Sequence, residues 1–163
     1  MRAVPARLGA AVVIALSLAS CQAAGPGERA GTHSDGQARK SGTGELRSDL
    51  DPLLTRFPLL GTPESVRWMS GTYGDPDTPG PSTYWIDAVV KLTHTKATQL
   101  TTAYAPVAGD SKPEVVDGMA AHLPAGPFST SPALDAAFKR DRWSASVYVD
   151  PRTDELVIVA TGE

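Results

Sequence analysis

Residues 82–94, STYWIDAVVKLTH, decide the fold. Tyr84, Ile86, Ala88, Val90 and Leu92 alternate with Trp85, Asp87, Val89, Lys91 and Thr93. Alternation with a period of two, with the charges kept to one side, predicts a half-buried strand. Upstream, SVRWMSGTY (65–73) sets Val66 and Trp68 against Arg67 and Met69, and GDPDTPGP (74–81) supplies Gly/Pro turn chemistry between the two runs. Together they predict a hairpin with a long loop.

A second, tighter hairpin is expected at 143–160, WSASVYVDPRTDELVIVA. Trp143, Ala145, Val147 and Val149 alternate with Ser144, Ser146 and Tyr148, and Asp150 with Pro151 suits a type I turn because proline fixes φ. The run from Leu156 to Ala160 is apolar on both faces, which fits a strand covered on both sides or one pairing at an interface.

Between the hairpins the period changes. Ser111 with Glu114 fits a capping box, and Val115, Val116, Met119, Ala120 and Leu123 recur at helical spacing until Pro124. Ser131 and Pro132 make a similar start, with Leu134, Ala137 and Phe138 as the buried stripe. Shorter helices are expected at 96–104, on Ala97, Leu100, Ala103 and Tyr104, and at 52–57. The order α-β-β-α-α-α-β-β predicts an α+β fold: two antiparallel hairpins forming a four-stranded sheet with helices on one face.

The folded part is expected to span 45–163, a length that suits one domain and can support a core without staples. Residues 22–44, QAAGPGERAGTHSDGQARKSGTG, carry no aromatic and no branched aliphatic side chain. Such a segment cannot offset its ordering entropy and reads as a flexible tether, with a reach of roughly 25–30 Å. His33 is a linker residue on this reading. Fifteen Lys and Arg against eighteen Asp and Glu give a net charge of −3, interleaved and without a basic patch, which argues against a nucleic-acid partner.

At the start of the chain, Arg2 and Arg7 precede an apolar run from Leu8 to Leu18. That run has the length of a secretory signal core and falls short of the roughly 18–20 residues that span a bilayer. Leu18-Ala19-Ser20-Cys21 then resembles the lipobox of bacterial lipoproteins, and the chain as a whole is similar in style to small lipoproteins of high-GC actinomycete bacteria. The resemblance implies removal of residues 1–20 as a signal peptide and a diacylglyceryl group on the Cys21 sulfur. It also implies a lipid anchor in the membrane and residence at the outer face of the cytoplasmic membrane. Two acyl chains give stable anchoring where one does not. The other reading is an ordinary soluble secretory signal with an incidental cysteine. Cys21 is the only cysteine, so the exported domain has no disulfide and no thiol nucleophile.

Chemistry-bearing patterns are sparse. His94 is expected at the end of a strand as a partly buried structural residue, and His122 in the last turn of a helix, favoured there by the dipole. Asp75 and Asp77 sit in an acidic turn that lacks the rest of a calcium loop, no His/Cys spacing suits zinc, and no phosphate-cradling loop is present. No metal and no cofactor are therefore expected. Asp87 projects from the polar side of its strand, and Asp141 or Asp150 could meet it in space. Acid/base work by such a pair would need one carboxyl desolvated with a raised pKa.

Trp85 and Tyr148 also fall on the polar sides of their strands, so they form a candidate interaction surface. Alternatively, further helices cover that side of the sheet and both residues are core. The function expected is a non-enzymatic binding or interaction module of the cell envelope, with a protein or small-ligand partner. The alternatives are a lipid-anchored hydrolase of envelope polymers using carboxylates, or an inhibitor of an extracellular enzyme.

Overall fold

The computed structural model describes residues 40–41, 44–74 and 82–163, all within one unit, Gly36–Glu163. The leader, Cys21, His33, Asp75 and Asp77 lie outside the described residues. The elements run β1 (Lys40–Ser41), α1 (Asp51–Arg56), a 3₁₀ turn (Pro58–Leu60), β2 (Ser65–Tyr73), β3 (Tyr84–Lys91), α2 (His94–Tyr104), β4 (Val107–Gly109) and α3 (Asp117–Ala120). They continue with β5 (Phe128–Thr130), α4 (Pro132–Phe138), β6 (Trp143–Asp150) and β7 (Glu155–Gly162).

Both expected hairpins form, and they join through their second strands. Asp87 of β3 stands opposite Val159 of β7, and Val159 in turn opposite Ser146 of β6. Strand β7 is therefore central, as its two apolar faces require. The tight turn forms at Asp150 and Pro151, where the Thr153 N–H donates to the Asp150 carbonyl at 3.4 Å.

The sheet is larger than the expected four strands. All pairings are antiparallel in the order β1-β2-β3-β7-β6-β5-β4, six strands plus the two-residue β1. Strands β4 and β5 are three residues each, too short to carry an alternating pattern. Strand β1 comes from the stretch read as tether: Lys40 pairs with Tyr73, and Arg47 exchanges backbone hydrogen bonds with Trp68 at 2.8 and 2.9 Å. The folded part thus takes in Lys40, earlier than the expected start at Glu45.

One face of the sheet carries the main core. Val66, Trp68, Ile86, Ala88, Val90, Val147, Val149, Leu156 and Ile158 pack there against Leu53 of α1, Leu100 of α2, and Leu134 and Phe138 of α4. These helices start where side chains can cap them. The Thr93 hydroxyl accepts from the Lys96 N–H, and the Ser131 hydroxyl accepts from the Leu134 N–H at 3.1 Å, with Pro132 in the first turn.

The other face is covered as well, which corrects the expectation of helices on one face only. Met69, Val89, Tyr148 and Val157 pack there against Val115, Val116, Met119, Leu123 and Phe128. The long helix expected over 113–123 shrinks to the single turn of α3, because Val116 is extended (ψ 149°) and gives its N–H to the Asp87 carboxylate at 2.6 Å. Gly118, a poor helix former, fits because its bare Cα lies against Met69, where a Cβ would meet the sulfur at 2.9 Å.

Candidate functional site

The covered second face decides the fate of the expected surface. Trp85 is fully buried, its indole N–H donates to the Thr72 carbonyl at 3.0 Å, and the Lys40 ammonium lies 5.7 Å from its ring centroid. Tyr148 is half-buried, edge-on to Phe128 with centroids 6.1 Å apart. Burial first, then the Asp135 and Glu114 carboxylates, push the Tyr148 hydroxyl above its usual pKa. The expectation of an exposed platform is thus corrected at Trp85, which is core because the sheet has no bare face at that point.

Asp87 is fully buried beside it. The Lys40 ammonium donates to its two oxygens at 2.6 and 2.8 Å and also to the Glu114 carbonyl at 2.8 Å, while the Val116 N–H takes Oδ2. Desolvation raises the carboxyl pKa and outweighs the lowering by Lys40 and the Val116 N–H. The arrangement is a latch between the entering chain and the sheet.

Among the described residues, no second carboxylate joins it. Asp150 lies four residues along β6 from Ser146, the residue level with Asp87, and two strands across. At sheet spacings that is about 13 Å along and about 9.5 Å sideways. Asp150 is itself fully buried and engaged by Arg152, through the backbone N–H at 3.0 Å and the guanidinium at 3.2 and 3.1 Å. Asp141 is exposed in the turn before β6, at φ 48°.

His94 is corrected too. It opens α2 rather than closing a strand, its side chain is 84 % exposed, and Nδ1 lies 3.2 Å from the Asp154 carboxylate. His122 follows the short α3, its N–H bonded to the Met119 carbonyl at 2.9 Å. Among the described residues, no group of three His, Cys, Asp or Glu side chains could hold a metal ion.

The concave site lies on the helical face, at the end of the sheet beyond α1. Register sets its floor: Tyr84, Gly162 and Trp143 stand level across β3, β7 and β6, and Thr72 and Ser70 of β2 lie beside Tyr84 and Ile86. Alternation turns Trp68, Tyr84, Ile86 and Trp143 to this same side. Pro52 and Arg56 of α1 form one wall, Arg47 of the entering segment another, and Glu163 stands on the rim. The groove holds about 520 Å³, within the usual range for small-ligand sites.

Each wall presents an arginine on a tryptophan. The Arg47 guanidinium carbon is 4.3 Å from the Trp68 ring centroid, and that of Arg56 is 5.5 Å from Trp143. Trp143 is held flat by the bare backbone beneath it, since a Cβ on Gly162 would meet its ring at 2.4 Å. Stacking of a guanidinium on an indole attracts through the ring quadrupole and leaves the in-plane N–H groups directed outward. Arg47 uses that fork on Asp49, with Nε to Oδ1 at 2.9 Å and Nη2 to Oδ2 at 2.5 Å, and this hydrogen bonding holds the Asp49 carboxyl below its ordinary range. Among the described residues, Arg56 makes one long hydrogen bond, to the Pro52 carbonyl at 3.3 Å, and no ion pair.

Sequence reasoning passed over this groove although its signal was present. The alternation that buries Ile86 also places Tyr84 beside it, and Trp68 and Trp143 share the apolar sides of their strands. Only the register shows that the three rings lie at the same end. Comparison of the chain with models of protein families, with curated proteins and with solved structures finds no match.

Proposed function

We propose that this chain is a lipoprotein held by lipid on Cys21 at the outer face of the cytoplasmic membrane, and that its α+β domain is a non-enzymatic binding module whose ligand sits in the groove between α1 and the end of the sheet. The anchor and address rest on the leader and lipobox of the sequence. No described helix is long and apolar enough to cross a membrane. The observation that carries the binding reading is the groove itself: four aromatic residues, Trp68, Tyr84, Trp85 and Trp143, and two arginines line one concavity, with Tyr84 46 % exposed. Aromatic and arginine side chains are the usual anchors of recognition sites, because they combine large apolar area with directed polar groups.

The second reading, a carboxylate hydrolase, draws on one specific observation, the raised pKa of Asp87. Its weakness is geometric. Asp87 is fully buried and both of its oxygens accept hydrogen bonds from Lys40, with a third from Val116. A substrate could reach it only after Lys40 and the segment behind it had left.

Two measurements test the proposal. Cell fractionation of the wild type and Cys21→Ser is expected to show the first with membranes and the second released; retention of the variant in the membrane fraction overturns the anchor. Thermal-shift screening against envelope-derived small molecules is expected to find ligands that raise the Tm of the wild type and not of Trp143→Ala. Ligands that stabilise both forms equally overturn the choice of groove.

A further inference from the structure

Resting on that reading of the groove, we infer that its ligand carries a carboxylate, received by the Arg56 guanidinium from its seat on Trp143. The groove contains its own example of the interaction. On one wall, Arg47 lies on Trp68 and grips the Asp49 carboxylate with two parallel N–H···O bonds at 2.9 and 2.5 Å. On the other, Arg56 lies on Trp143 with the same chemistry and no anion among the described residues. Its one hydrogen bond, Nη1 to the Pro52 carbonyl, leaves Nε and Nη2 to form the fork that a planar carboxylate matches.

The surroundings favour a monoanion with a flat or ring-shaped body. Trp143 backs the guanidinium and shields one side of it from water, which strengthens a charge-assisted bond formed in its plane. Tyr84 and Ile86 offer apolar surface for the rest of the ligand. Glu163 on the rim adds a repulsion that grows with ligand charge, so a phosphate monoester, at about −1.5 to −2, is disfavoured against a carboxylate at −1.

The probes are benzoate, benzyl alcohol and phenyl phosphate, titrated into the full-length chain in detergent while its tryptophan fluorescence is followed. All three tryptophans, Trp68, Trp85 and Trp143, are among the residues that line the site. Benzoate is expected to give a saturable change, with an apparent Kd at least tenfold lower than that of benzyl alcohol. Arg56→Gln, an exposed position whose melting curve should match the wild type, is expected to abolish that preference, and Arg56→Lys to restore it only in part. Equal affinity for benzoate and benzyl alcohol overturns the carboxylate inference while leaving the groove as a binding site. Tighter binding of phenyl phosphate overturns it in favour of a phosphate ligand. A benzoate preference that survives in Arg56→Gln overturns the role of Arg56, and no saturable change with any probe overturns the groove reading itself.

Discussion

Replacing Lys40 with methionine keeps most of the apolar stem and removes the ammonium from Asp87. The carboxylate then keeps one of its three hydrogen bonds, the one from the Val116 N–H at 2.6 Å, and loses those at 2.6 and 2.8 Å. Asp87 is wholly buried and the Lys40 side chain is 14 % exposed, so water reaches the pair only from the lysine side. Stripping one partner from a buried ion pair costs about 3–5 kcal/mol. The lower end applies here, because the Val116 N–H remains and the acid can take up a proton. For a domain of this size about 3 kcal/mol lowers Tm by roughly 10 °C. The pH dependence follows from the direction of the shift. Burial already holds the Asp87 carboxyl above 3.8, so the fold binds that proton more tightly than the unfolded chain does. Stability from this group is present below the unfolded pKa and is lost as pH rises through the folded one. Without Lys40 the folded pKa rises further, so the gap between variant and wild type should widen from about pH 4 toward neutrality. Urea melts across that range check it, and Lys40→Met/Asp87→Asn should recover at least half of the loss. A Lys40→Met variant within about 1 kcal/mol of the wild type, with a gap that does not change with pH, refutes the latch.

Three further changes probe other joints of the fold. Asp135→Ala leaves the Val147 N–H without the carboxylate it now reaches at 2.8 Å, and should cost about 1–3 kcal/mol in urea melts, with Asp135→Asn close to the wild type. Ser131→Ala removes the α4 cap and the hydroxyl that donates to the Tyr104 carbonyl at 2.8 Å, for an expected loss of about 1 kcal/mol. Gly162→Ala drives a methyl into the Trp143 ring, and should cost about 1–3 kcal/mol while shifting the tryptophan emission maximum. An unshifted spectrum in a folded Gly162→Ala protein would contradict the packing of Trp143 on that backbone.

The strands of eight or nine residues and the helices with a side-chain cap were legible in the sequence, because each carries its own period and its own boundary signal. Ser131 announces α4 and Asp150-Pro151 announces the last turn, whereas the Thr93 cap of α2 lay hidden in the stretch read as strand. What failed was set by contacts between distant segments. A run of apolar residues at helical spacing became an extended cover over the sheet, because the buried Asp87 takes the Val116 N–H across 29 positions. That cover, with the Lys40 side chain laid over it, is also why Trp85, on the nominally polar side of β3, is core. Strands β4 and β5 draw their identity from pairing alone, three residues at a time. The groove had the opposite character. Its rings were assigned to the correct side by alternation, but their meeting depended on β3 pairing with β7 and β7 with β6.

Strand β7 is the last described strand in the chain and the middle one in the sheet. A chain that has emerged only as far as Asp154 can form the first hairpin, yet one edge of β3 then stands without its partner. Ile86, Ala88, Val89 and Val90 line that edge and are buried in the finished domain. An unpaired, apolar edge is a template for the wrong neighbour. Biosynthesis of this protein therefore offers no safe halfway point. Strand β7, eight residues long, works as a closing zip, and a product clipped before Glu155 is expected to be prone to aggregation rather than to form a stable smaller domain.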